Sequence, residues 1–232
     1  MTGLLASVQD AREMDLAIKG GADWIDLKNP KAGALGMLPA TDLADLVRSL
    51  DGRLPVSATL GDHWDDPSRY GDLVGELESV ELSYIKVGVN ARGLNQAYKA
   101  ILENVLNRAM PAIAVIVVEF GVTNSMCRDL ADLGFKGAML DTADKTSGAL
   151  GTKIGIDGVR RFVESARDAG LLCGLAGSLD ISHLSAYLPL TPDYLGFRSA
   201  LCQGSRTGTI NQQAVRELAT KLHSGDCQQA VA

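Results

Sequence analysis

A chain of 232 residues in which 46% are hydrophobic and 22% charged has enough apolar material for a sizeable core and is too apolar to remain disordered. Its formal charge of -6 is spread over positions of both signs, which excludes the basic stripe of a nucleic-acid binder. The longest apolar run, Ala112 to Val118, stops at Glu119, short of a membrane span or an export signal, so neither nucleic acid nor membrane is expected as a partner.

Short β-branched or apolar runs alternate along the chain with stretches of helical period. A strand at 3–7 leads to a helix at 9–19, and a second strand at 23–28 to a helix at 40–50. Strands at 56–60 and 84–89 precede helices at 70–80 and 94–107. Further strands at 112–118 and 137–141 precede helices at 124–133 and 157–169. The last two strands, 171–176 and 194–197, precede helices at 181–188 and 212–223. Glycines such as Gly20-Gly21, Gly134 and Gly170 stand where each helix must stop and the chain re-enter the sheet.

This order predicts an α/β protein, a single parallel (β/α)8 TIM barrel over 1–223, with 224–232 as a frayed C-terminal tail. Single barrels of about 200–250 residues are routine. An open doubly wound sheet would carry a G-x-G-x-x-G fingerprint after its first strand, whereas Val8-Gln9-Asp10 follows Ser7 here.

Cys127, Cys173, Cys202 and Cys227 lie far apart without a C-x-x-C pair, and His63, His183 and His223 are equally scattered. That spacing predicts reduced, structurally ordinary cysteines in a cytoplasmic protein and no metal site; no cofactor is expected either. The sequence leaves a homo-oligomer open.

In a barrel of this kind catalytic side chains project from the carboxyl ends of the strands. The second strand ends Asp26-Leu27-Lys28, and a period of two sends Asp26 and Lys28 to the barrel axis while Ile25 and Leu27 face the helices. Lys86, flanked by Ile85 and Val87, points inward from the fourth strand. The sixth strand ends in Asp141, with Lys145 in the adjoining loop.

Three lysines and two aspartates are thus expected at one mouth. A lysine amine, with a reference pKa of about 10.4, becomes a nucleophile where burial or a second cation disfavours its charge. It then attacks a carbonyl to give an iminium, an electron sink for aldol chemistry, while neighbouring groups relay protons. The same five residues could instead be structural ion pairs plugging the mouth, although pairing alone needs no surplus of cations.

A phosphate site is expected where strands seven and eight end, at Gly177, Ser178, Gly196, Arg198 and Ser199, since barrel enzymes cradle phosphate there with backbone N–H groups. The loop Asn29 to Gly36 could close over substrate. Ser57 and Thr59 would line the mouth, and His63 reads as a solvated loop residue.

With these residues in place, the sequence resembles the (5-formylfuran-3-yl)methyl phosphate synthase family of methanofuran biosynthesis over nearly its whole length. The segments that carry the likeness are Gly20 to Asp23, Asp26 to Lys31, Gly33 to Gly36, Val56 to Asp62, Tyr84 to Gly88, Met139 to Thr142, Leu175 to Ser178 and Gly196 to Arg198. The resemblance implies a lyase that condenses two molecules of glyceraldehyde 3-phosphate, one first isomerised to the ketone. Aldol joining, loss of water and one phosphate, and closure to a furan would follow. It also implies that Lys28 forms the Schiff base, that Lys86 is the acid/base lysine, and that Asp26, Asp141 and Lys145 support them. The segment from His63 to Gly71, the loop after Lys145 and the C-terminal tail depart from the family pattern. A class I aldolase or transaldolase of general sugar-phosphate metabolism, and a non-catalytic barrel that binds a phosphorylated metabolite, are the competing readings.

Overall fold

The computed structural model describes residues 1–90, 94–107, 110–123, 125–144 and 148–224. Eight parallel strands close into a barrel in sequence order, with β1 pairing both β2 and β8. They are β1 Gly3–Val8, β2 Trp24–Leu27, β3 Val56–Thr59, β4 Tyr84–Val89, β5 Ala112–Val117, β6 Gly137–Asp141, β7 Leu172–Leu175 and β8 Tyr194–Phe197. The helices between and after them are α1 Ala11–Gly20, α2 Ala40–Leu50, α3 Arg69–Glu76, α4 Gln96–Leu106, α5 Met126–Leu133, α6 Leu150–Asp168, α7 Leu184–Tyr187 and α8 Gln212–Ser224. The expected parallel (β/α)8 architecture is therefore present.

Alternation along the strands sorts the core into two parts. Ile25, Leu27, Ala58, Ile85, Val87, Ala114 and Ile116 face the helices and pack with Leu43, Leu46, Leu102, Leu130 and Phe162. Burying a side chain of that size stabilises the fold by roughly 1.5–3 kcal/mol, so this layer is the main source of cohesion. The axis side holds Leu5, Ile113, Val115, Met139 and Tyr194, with Trp24 and Tyr84 packed against them. Trp24 lies between Tyr84 and Tyr194, at ring-centroid distances of 6.0 and 5.5 Å, and these rings floor the barrel beneath its charged mouth.

Local signals fix the helix ends. Asp10 caps α1 by accepting from the Glu13 N–H, and Gly21 and Gly134 terminate α1 and α5 in left-handed conformation. Three helices differ from the sequence reading. α3 stops at Glu76 rather than near residue 80, because Leu77, Val80 and Leu82 turn inward and are buried on the way into β4. α6 begins at Leu150, ahead of the expected 157, and is broken at Gly155 (φ 69°, ψ 156°), so the predicted helix is the part after the break. The span 181–188 is two 3-10 turns, Ile181–His183 and Leu188–Leu190, around the four-residue α7, since Pro189 has no N–H to continue a helix.

Ser224 closes α8, and the remainder of the expected tail lies outside the described residues. Among the described residues no helix is long and apolar enough to cross a membrane.

Candidate active site

The carboxyl end of β2 organises the mouth. Lys28 lies one residue past the strand, its N–H still bonded to the Val8 carbonyl at 3.0 Å, which preserves the alternation and keeps its side chain on the axis side with Asp26. The Asp26 carboxylate, only 2% exposed, is the hub of the cluster. Its Oδ1 accepts from Ser57 Oγ at 2.8 Å and lies 2.8 Å from Lys86 Nζ. Its Oδ2 accepts from Ser7 Oγ at 3.0 Å and lies 3.8 Å from Lys28 Nζ. Burial opposes charge on Asp26, but Lys86 and Lys28, with the Ser57 hydroxyl, outweigh it and hold the carboxyl below its ordinary pKa.

One carboxylate thus faces two ammonium groups at different depths. Lys86 is sealed at 1% exposure, with its Nζ 5.7 Å from the centre of the Tyr194 ring, and Lys28, at 8%, reaches the cavity above. Asp141, 3% exposed, lines that cavity too and accepts from the Thr142 N–H at 2.7 Å. Lys145, expected beside Asp141, lies outside the described residues.

Gly177, Ser178, Gly196, Arg198 and Ser199, the expected phosphate residues, line the same cavity as Lys28 and Asp141. Gly177 has φ 99°, and a Cβ there would press on the Thr142 backbone nitrogen at 3.1 Å, so the ends of β6 and β7 approach closely only because this residue is glycine. Ser178 follows at φ 52°, a left-handed conformation uncommon outside glycine and asparagine, held at the cavity wall.

Arg198 is occupied elsewhere. Its guanidinium forks onto the Glu13 carboxylate of α1 and also donates to the carbonyls of Ser7, Arg206 and Gly208. All five of its N–H groups have protein acceptors. Sequence reasoning assigned this side chain to phosphate, but its donors are committed to holding the loop after β8 against β1 and α1. Glu13 itself is fully buried, and its carboxylate also accepts from the Gln9 N–H and side chain.

Two loops at the rim are pinned by carboxylates. Asp62 accepts from the Ala34 and Leu35 N–H groups at 2.9 and 2.7 Å, which shapes the loop after Lys28 and seats Leu35 in the axial cluster. Glu119 accepts from the Ala143 and Asp144 N–H groups at 3.1 and 3.2 Å and pairs with Lys153 at 3.1 Å, which shapes the start of the loop after Asp141. Ser57 and Thr59, expected at the mouth, are both bonded there: Ser57 donates to Asp26 at 2.8 Å and Thr59 to the Gly36 carbonyl at 2.9 Å. Sequence reasoning missed Ser7 and Arg206, which also line the cavity. The flanking Gly204 and Gly208 in the loop after the last strand were the signal that could have drawn attention to Arg206.

Fold and site together define a (β/α)8 barrel whose mouth gathers lysines on a shared carboxylate. The sequence model of the 4-HFC-P synthase family matches residues 4–219, so the chain belongs to that family of enzymes. A (5-formylfuran-3-yl)methyl phosphate synthase of Methanothermobacter thermautotrophicus is 35% identical over 242 aligned residues, covering 95% of this chain and 99% of that protein. Another of the same name, from Methanocaldococcus jannaschii, is 34% identical over 234 residues, covering 93% and 97%. In three dimensions the chain is similar to phosphoribosyl anthranilate isomerase of Thermus thermophilus (TM-score 0.67, 16% identity, 97% and 99% of the two chains). It is also similar to 3-hexulose-6-phosphate synthase of Salmonella typhimurium (TM-score 0.62, 12% identity, 96% and 100%). At those identities the structural likeness bears on the barrel alone.

Proposed function

We propose that this enzyme is a lyase that condenses two molecules of glyceraldehyde 3-phosphate to (5-formylfuran-3-yl)methyl phosphate for methanofuran biosynthesis, through a Schiff base on Lys28. The observation that carries the reading is the lysine pair on Asp26, with Lys28 at the cavity and Lys86 sealed beneath it. Lys86 is sealed and Lys28 opens on the cavity, so the outer amine is the one a substrate can reach.

Lys28 attacks the ketone form of one triose phosphate as the free amine, and water leaves as the iminium forms. The cationic iminium takes the place of the ammonium opposite Asp26, whose depressed pKa keeps it ionised through the exchange. The carbon next to the iminium then loses a proton and adds to the aldehyde of the second molecule. Asp141 at the cavity serves as proton donor and acceptor, Lys86 acts through the Asp26 carboxylate it shares with Lys28, and Lys145 joins them, the two lysines on the strength of the family resemblance. Hydrolysis frees the amine, and ring closure yields the furan. Overall one phosphate and two waters leave, which balances two trioses against the product.

Gly177, Ser178, Gly196 and Ser199 offer backbone N–H groups and hydroxyls for a phosphate beside Lys28. The test is to supply glyceraldehyde 3-phosphate alone and follow near-ultraviolet absorbance, with mass spectrometry of the product. A furan chromophore with release of one phosphate per product is expected. An open-chain six-carbon sugar phosphate would mark a simple aldolase, and unchanged substrate would mark a binding barrel.

A further inference from the structure

We propose that Arg206 is the cation that binds substrate phosphate in this site, and that by the same contact it couples phosphate to the loop that follows Lys28. This rests on the reading above that a triose phosphate occupies the cavity.

Three observations converge. Arg198 has no N–H group left to offer, although it too lines the cavity. Two of those N–H groups hold the backbone carbonyls of Arg206 and Gly208 at 2.7 and 2.8 Å, which fixes the short segment between them at the rim. Arg198 is thus the buried clamp, and Arg206 is the arginine that the clamp presents.

The Arg206 guanidinium, half-buried at the cavity with Ser178, Ser199 and Lys28, has one partner among the described residues, the Gly33 carbonyl at 2.9 Å. A guanidinium carries five N–H groups in a planar fork, so one contact to Gly33 leaves most of the fork for a second acceptor. A phosphate dianion matches that fork in shape and charge.

The Gly33 contact supplies the coupling. Gly33 stands in the loop after Lys28 at φ 107°, with the Asp62 carboxylate where a Cβ would be, and the same carboxylate holds the next two N–H groups. Arg206 therefore reaches from the loop after β8 to the loop after β2, across the mouth of the barrel. A phosphate seated on Arg206 either shares the fork with Gly33 and tightens this bridge, or displaces Gly33 and loosens it. In both cases phosphate is felt next to the imine-forming lysine.

Titration calorimetry with inorganic phosphate on the full chain, wild type against Arg206→Gln and Arg206→Lys, tests the assignment without requiring catalysis. We expect wild type to bind phosphate at one site. Arg206→Gln should bind at least tenfold more weakly, and Arg206→Lys should fall between, since lysine keeps the charge and loses the fork. Hydrogen exchange at Ala32 to Leu35 should change on adding phosphate in wild type and not in Arg206→Gln. Equal phosphate affinity in wild type and Arg206→Gln, or no phosphate binding by wild type, overturns the proposal. So does an exchange response that survives the substitution. Phosphate binding lost in Arg206→Gln while wild type makes no furan would uphold Arg206 and remove the proposed synthase reaction, so the two failures are distinguishable.

Discussion

Two buried ion clusters meet at Ser7, whose hydroxyl donates to Asp26 and whose carbonyl accepts from Arg198, and they are built to opposite ends. At Glu13 and Arg198 a planar fork meets a carboxylate, every guanidinium N–H has an acceptor, and the pair joins α1 to the loop after β8. At Asp26 two compact ammonium groups share one carboxylate, one at 2.8 Å and sealed, the other at 3.8 Å with access to a cavity. A saturated arginine pair does structural work because nothing is left over for a ligand. A lysine that opens on a cavity stands where a ligand can meet it, and the imine proposed for Lys28 needs that access.

Substitutions at each cluster should break it in its own way. Lys28→Arg keeps the charge beside Asp26 and cannot form an imine. Turnover should drop to background while circular dichroism and the unfolding midpoint stay near wild type; appreciable furan formation by this variant would remove Lys28 from the mechanism. Glu13→Ala leaves the Arg198 guanidinium buried without its carboxylate, an arrangement that costs about 3–5 kcal/mol. Chemical denaturation should show the midpoint falling accordingly, and a loss under about 1 kcal/mol would contradict the structural reading of that pair.

Asp26→Asn separates the two clusters by pH. The Asp26 pKa is depressed in the folded protein, so its contribution to stability is complete above the unfolded value of about 4 and is lost as pH falls through the lower native value. Urea unfolding of wild type should weaken over that acid range, and the Asn variant, already less stable at neutral pH, should show a flatter acid limb. Parallel curves for the two proteins would mean that Asp26 is not the carboxylate responsible.

The smallest effect is expected at the barrel floor. The Tyr194 hydroxyl is buried with no hydrogen-bond partner among the described residues, so Tyr194→Phe removes no protein hydrogen bond and keeps the ring under Lys86. Thermal unfolding should be unchanged or shifted slightly upward, by about 1 kcal/mol at most. A marked loss would show that the hydroxyl is held in a way the structure does not record.

Much of this was legible in the chain itself, for physical reasons that differ from part to part. Strand alternation is a local property, so the axis side of Asp26, Lys28 and Lys86 could be read from their immediate neighbours. Closure of the barrel followed from counting βα units. Which arginine keeps donors for a ligand was not legible, because Arg198 is taken by Glu13, 185 residues away, and no local pattern announces that pairing. The roles of Ser7 and Ser57 as donors to Asp26 depend on strand register, which aligns Ser7 with Asp26 and Asp26 with Ser57. The early start of α6 escaped notice because Gly155 interrupts its period.

The central claim is most directly tested by borohydride reduction of the enzyme with glyceraldehyde 3-phosphate, followed by peptide mass spectrometry. A single reduced triose-phosphate adduct on Lys28, absent from Lys28→Arg, is the predicted result. An adduct on Lys86 alone, or none on any lysine while furan still forms, would contradict the assignment of the outer amine as the nucleophile.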